Sequence, residues 1–286
     1  MSRGFFTIAQ GEQYQRMAYA AALSLKLSQP EGYSNLSIGV TADEIDKVNP
    51  KYLEVFDNVV EIPWKDHAAN SSWKLENEWK AIYMTPYDET IKLDADMLFP
   101  GDISGWWDLL AKSEGVFCTK AMTYRGEIIT SDFYRKTFTE SELPNVYTAM
   151  FYFKKTEANY ELFKLAEMIF NNWERFFYDF LEPEHRPRFV STDVVFALAA
   201  KILDYGSLNA TPNLNIPTFV HMKSQLQNWP DDQFMIEDWT KIVRSYFGRD
   251  GSLIVGNYKQ QLPFHYHVKD FLTDRMIGIM EKRLGI

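Results

Sequence analysis

Two aspartates two positions apart stand in the segment Lys92-Leu-Asp-Ala-Asp-Met-Leu-Phe99. A bare Asp-x-Asp is a short motif, and in most chains it marks a solvated acidic turn. Here a strongly apolar run, Glu89-Thr-Ile-Lys-Leu93, leads into it, and Met97-Leu-Phe99 follows. Carboxylates held against a core are costly unless something pairs with them. In extended backbone, residues two apart project to the same side, so Asp94 and Asp96 can serve one site. Two carboxylates together with phosphate oxygens suit a hard cation, Mg²⁺ or Mn²⁺. Such an ion acts as a Lewis acid on a departing diphosphate.

A third ligand would come from histidine, and the chain has five. His221, in Phe219-Val-His-Met-Lys223, is one candidate; a neutral imidazole suits Mn²⁺. His265 and His267, in Pro263-Phe-His-Tyr-His-Val-Lys269, have strand-like spacing and are the rivals for that position or contacts for an acceptor. His67 and His185 have no supporting neighbours. Asp193, in Ser191-Thr-Asp-Val, opens an expected helix. Its plain role is to favour the positive end of that helix; its functional role would be to steady charge developing in a transition state. Lys80 lies on the solvated face of its helix or supplies positive charge to a phosphate. The aromatic group Trp173, Phe176, Phe177, Tyr178 and Phe180 reads as core before it reads as a stacking platform.

The elements that must carry these residues alternate. Gly4 to Ala9 reads as a strand and Gln13 to Ser28 as a helix, with strands at Leu36–Thr41 and Asn58–Pro63, a helix at Trp73–Met84 and a strand at 89–93. Alternation of this kind implies a largely parallel sheet, and in such sheets ligands bind beyond the carboxyl ends of the strands. Later come strands at Gly115–Lys120 and Val146–Phe153, and helices at Thr156–Asn171, Ser191–Leu203, Asp238–Tyr246 and Lys269–Arg283. Asn172 to Arg188, rich in Trp, Phe and Pro, reads as an irregular lid.

In this order the chain resembles the glycogenin-like, family 8 type of GT-A glycosyltransferases over residues 4–229. The matching pieces are Phe5-Phe-Thr-Ile-Ala-Gln-Gly-Glu-Gln-Tyr14 with the helix after it, Leu93-Asp-Ala-Asp96, Ala149-Met-Phe-Tyr-Phe-Lys154, Ser191-Thr-Asp-Val, and His221 with Trp229 eight residues on. The resemblance implies a GT-A type α/β domain over 1–229, with 230–286 as a C-terminal extension on the acceptor side. It implies that Thr7, Ile8 and Ala9 line a nucleobase pocket, that Tyr14 stacks on the base, and that Lys80 lies near the phosphates. It further implies that Asp94, Asp96 and His221 hold Mn²⁺ or Mg²⁺ and that Asp193 lies near the reacting sugar. The donor is then a UDP-sugar and transfer proceeds with retention. Two departures stand out. Tyr147-Thr-Ala149 replaces the family's Asn-Ser-Gly, and Gln227 stands at the late lysine, leaving Lys80 or Lys223 to supply the phosphate charge.

Bulk composition sets the outer limits. Forty-six per cent hydrophobic and 24% charged residues are typical of a globular enzyme. The net charge of −9 argues against a broad polyanion-binding surface. The last third alone is near neutral, so Lys241, Arg244, Arg249, Lys259 and Lys269 leave room for a local basic groove. The expected acceptor is a glycan; a hydroxylated base in phage DNA is the second choice. A single cysteine permits no internal disulfide, and the absence of a signal-like start or a long apolar run gives a cytoplasmic expectation. Two other functions remain open. A sugar-1-phosphate nucleotidyltransferase wants a glycine-rich basic turn where this chain has Ala9-Gln-Gly-Glu-Gln13, and a non-catalytic sugar-binding protein has no use for a metal-diphosphate site.

Overall fold

A computed structural model describes residues 1–68, 74–129, 133–205, 215–222 and 238–286. Its centre is a six-stranded sheet in the order β3-β2-β1-β4-β7-β6. The strands are β1 (Arg3–Ile8), β2 (Leu36–Val40), β3 (Val59–Glu61), β4 (Glu89–Leu93), β6 (Gly115–Cys118) and β7 (Tyr147–Lys154). The first four run parallel, whereas β7 is antiparallel to both β4 and β6. Helices cover both faces, and this is why β1, β2 and β4 are buried along nearly their whole length. The fold is α/β with a mainly parallel central sheet flanked by helices, as expected.

The chain steps from β1 to β2 on one side, and β4 later adds to the other side of β1. The order therefore reverses between β1 and β4, where open sheets of this kind leave a crevice. Gly11 begins the helix Glu12–Ser28 at that crevice with φ 91°, a left-handed conformation that costs glycine nothing. Its amide donates to the Glu44 carboxylate at 2.7 Å.

Two small sheets complete the fold. One joins β5 (Met97–Leu98), β12 (Phe264–His265) and β8 (Val220–His221), with β12 in the middle. The other is the antiparallel set β9 (Ser245–Phe247), β10 (Leu253–Val255) and β11 (Tyr258–Lys259). The boundary expected at residue 229 lies outside the described residues. The segment beyond it is woven into the same core, where Trp239, Phe264, Tyr266 and Met280 cluster with Phe5, Leu93 and Met97. The last helix, Asp274–Leu284, packs on Glu12–Ser28, where Arg16 bonds Leu272 O and Asp274, and Tyr19 bonds Glu281.

Four local expectations need correction. The helix expected up to Met84 is a run of 3-10 turns over Lys74–Lys80 and a single α turn at Ala81–Met84. Asn77, Glu78 and Lys80 are all buried and bond distant parts of the chain, Asn77 and Lys80 the loop after β3 and Glu78 the Lys92 ammonium, so cross-links rather than 3.6-residue periodicity fix the backbone there. Asp238–Tyr246 is a short turn at Trp239–Lys241 followed by β9, since Ser245–Phe247 pairs with β10. The expected lid contains a regular helix, Trp173–Phe180, which buries Phe177 and leaves Tyr178 and Phe180 exposed. The last helix starts at Asp274 instead of Lys269, because the Thr273 hydroxyl accepts from Met276 N and caps it.

Candidate metal and nucleotide site

Asp94 and Asp96 follow β4 directly at the β1/β4 crevice. The backbone of Asp94 stays in the sheet, its amide donating to Ala149 O at 2.9 Å. The Tyr266 amide donates to Asp96 O at 3.2 Å, which draws β12 alongside. His265 thereby reaches the carboxylates, its Nε2 lying 3.1 Å from Asp96 Oδ1 and 3.8 Å from Asp94 Oδ2. His267 joins them, and ligand atoms of Asp96, His265 and His267 all lie within 4.8 Å of one another. One carboxylate oxygen and two imidazole nitrogens so grouped, with Asp94 at their edge, are a donor set that fits Mn²⁺. Burial alone would raise the Asp96 carboxyl; the two imidazoles outweigh that and hold it down to about 2.

His221, the ligand the resemblance implies, stands one strand away. Its Nδ1 lies 3.1 Å from Nδ1 of His265, and the two rings stack. His265 sits between it and the carboxylates, since β12 is the middle strand. The pair His265 and His267, the rival for the third ligand, is the pair grouped with Asp96.

Behind Asp94 lies a charge that sequence reading missed. Lys92 is buried in β4, and its Nζ lies 2.9 Å from Asp94 Oδ1 and in an ion pair with Glu78. Burial pushes the Glu78 carboxyl up to about 7 against the pull of that ammonium. The signal for Lys92 was present: a lone lysine in an apolar strand needs buried partners, and Asp94, two positions on, shares its side. Glu78 gave no comparable signal.

Asp193 has both oxygens engaged. Arg135 Nη2 donates to Oδ2 at 2.9 Å, and the amide and hydroxyl of Thr148 donate to Oδ1 at 2.8 and 2.7 Å. The Arg135 guanidinium in turn lies 3.5 Å over the Tyr147 ring. Asp193 thus ties the start of helix Thr192–Ile202 to β7.

The residues expected around a nucleotide divide into three groups. Thr7 and Ile8 end β1 at the crevice and Ala9 follows, all with their side chains buried. Thr7 Oγ1 is buried and has no hydrogen-bond partner among the described residues. Tyr14 is partly buried against the core and carries Lys269 over its ring at 4.0 Å, and its hydroxyl meets the same ammonium. Lys80 is fully buried and donates to the carbonyls of Pro63 (3.0 Å) and Lys65 (2.6 Å). Those bonds commit its amine to the loop after β3, and the cation found beside Asp94 is Lys92. Lys223, Gln227 and Trp229 lie outside the described residues. Of the basic residues considered for a nucleic-acid groove, Lys241 pairs with Asp238 and Lys269 lies on Tyr14. A cavity of about 130 Å³ is lined by Ser24, Phe99, Asp250 and Arg283 among others and includes none of the site residues. The chemistry of the side chains, and not that cavity, locates the site.

No protein-family model matches the chain, and no curated protein matches it in sequence. Solved structures do. The galactosyltransferase LgtC, in complex with donor and acceptor sugar analogs, matches with a TM-score of 0.51 over 97% of this chain and 95% of its own, at 12% identity. The chain shares the fold of that galactosyltransferase. Mouse xyloside xylosyltransferase 1 matches with a TM-score of 0.44 at 13% identity, over 73% of this chain and 84% of its own. The glycosyltransferase GlyE of Streptococcus pneumoniae TIGR4 matches with a TM-score of 0.44 at 12% identity; the match spans all of this chain but 64% of GlyE. No described helix is long and apolar enough to cross a membrane.

Proposed function

We propose that this chain is a metal-dependent glycosyltransferase that moves a hexosyl or pentosyl group from a UDP-sugar to an acceptor hydroxyl, with retention. The observation that carries the reading is the cluster itself: Asp96, just past the end of β4, is grouped with His265 of β12 and His267 just beyond it, and Asp94 lies 3.8 Å from His265. The shared fold with a galactosyltransferase and the family resemblance of the sequence support it.

Asp94, Asp96, His265 and His267 would hold Mn²⁺ or Mg²⁺, with His221 behind His265 setting its ring. A bound cation neutralises the diphosphate as it leaves. Thr7 to Ala9 and Tyr14 take the nucleobase. Lys269, four residues after His265 and folded over Tyr14, supplies the phosphate-side ammonium expected of Lys80 or Lys223. Asp193 acts by anchoring Thr148 and Arg135 beside the donor sugar. The acceptor class we favour is a glycan.

A ligand that binds only the native state raises its apparent stability, so a thermal-shift screen of nucleotide sugars tests the reading. UDP-sugars should raise the unfolding midpoint with Mn²⁺ and much less without it. A flat response to every nucleotide sugar, with and without Mn²⁺, contradicts the proposal and favours a sugar-binding protein. A response to nucleoside triphosphates alone favours a nucleotidyltransferase.

A further inference from the structure

Lys92 lies in the middle of the central sheet, paired through its backbone with Phe6 of β1 on one side and Phe151 of β7 on the other. Its side chain is 1% exposed. A cation at that depth is tolerated only where carboxylates meet it. Two do so. Glu78, on the 3-10 segment that precedes β4, is buried inside the fold; Asp94 faces the site. A longer contact, 3.5 Å, runs to Thr148 O.

This arrangement makes the two oxygens of Asp94 unequal. Oδ1 is held by the Lys92 ammonium at 2.9 Å. Oδ2 points to the other side, 3.8 Å from His265 Nε2. A carboxylate bound this way has a fixed orientation and one oxygen left to give. It also carries a neighbouring positive charge into any complex with a cation.

We propose that Lys92 is a resident counter-ion of Asp94, which turns Oδ2 toward the cation site and weakens the site's hold on a bare divalent cation. The diphosphate, with its own negative charge, then completes the electrostatic balance, so that cation and nucleotide bind together. Glu78 sets the strength of the effect: it shares the ammonium, and its loss leaves the full positive charge on the Asp94 side. The inference rests on the metal-site reading above.

Binding of Mn²⁺ itself tests this on the full-length chain, followed by loss of the free-ion paramagnetic resonance signal with and without UDP. Three forms are compared: the unaltered chain, Glu78→Gln, and Lys92→Met with Glu78→Gln, which exchanges the buried ion pair for neutral groups. Circular dichroism checks that each is folded. With a negative charge removed from the Lys92 ammonium, Glu78→Gln should bind Mn²⁺ alone roughly tenfold more weakly than the unaltered chain. The double variant should bind it roughly tenfold more tightly than Glu78→Gln and gain less from UDP. A double variant no tighter than Glu78→Gln overturns the inference and leaves the metal site standing. If the double variant does not fold, Glu78→Gln decides alone, and an affinity equal to that of the unaltered chain overturns it. Failure of the unaltered chain and both variants to bind Mn²⁺, even with UDP, overturns the metal-site reading and this inference together.

Discussion

His221 and His265 meet Nδ1 to Nδ1 at 3.1 Å, directly opposite each other on the parallel strands β8 and β12. At that distance one ring donates and the other accepts, which fixes the orientation of both. His265 is left with Nε2 toward Asp96. Partners that orient a metal-binding imidazole in this way commonly matter by 10- to 100-fold in metal affinity. His265→Ala should therefore remove most Mn²⁺ binding, while His221→Ala should weaken it roughly tenfold. Mn²⁺ titration of the two variants checks the order. A larger loss from His221→Ala would restore His221 as the ligand.

Lys80 offers a second contrast between sequence and structure. Its ammonium satisfies two carbonyls of the loop after β3, and removal leaves them unpaired in a buried setting. Lys80→Met should cost about 1–3 kcal/mol of stability and leave the Mn²⁺-dependent UDP-sugar shift intact. Denaturant unfolding and thermal shift on the same variant separate the two effects. Lost nucleotide response at full stability would place Lys80 at the phosphates after all.

The site should also register in acid unfolding. Asp96 is held at about 2 in the folded chain, against an ordinary value near 4 when unfolded. The unfolded state therefore takes up the proton first as pH falls. Stability from this group is complete above about pH 4 and is lost on the way down to about pH 2, of order 2 kcal/mol. Asp96→Asn should flatten that part of the stability-versus-pH curve. Equal slopes in both proteins would mean that the imidazoles do not hold Asp96 in solution.

Much of the sheet was legible because both faces are covered. Runs such as Phe5-Phe-Thr-Ile8 and Thr90-Ile-Lys-Leu93 can hardly be anything but buried strands. The acidic pair was legible for a related reason, as charge placed against such a strand. What sequence could not give was pairing at long range. Nothing local says that Phe264-His265 will slot between β5 and β8, and that insertion decides which histidine meets the carboxylates. Nor does local pattern reveal that Glu78 and Lys80, two residues apart, will each bond a separate partner and tighten their helix into 3-10 turns. Asp193 looked like a residue at a helix start and is one, but its partners Arg135 and Thr148 come from distant segments.

Release of UDP from a panel of UDP-sugars, with Mn²⁺ and with chelator, tests the central claim most directly when Asp96→Ala is run beside the unaltered chain. The account predicts slow Mn²⁺-stimulated turnover of at least one donor, lost by more than about 100-fold in the variant while its circular dichroism is unchanged, since catalytic electrostatic groups commonly contribute on that scale. Comparable metal-stimulated turnover in the folded variant would contradict it.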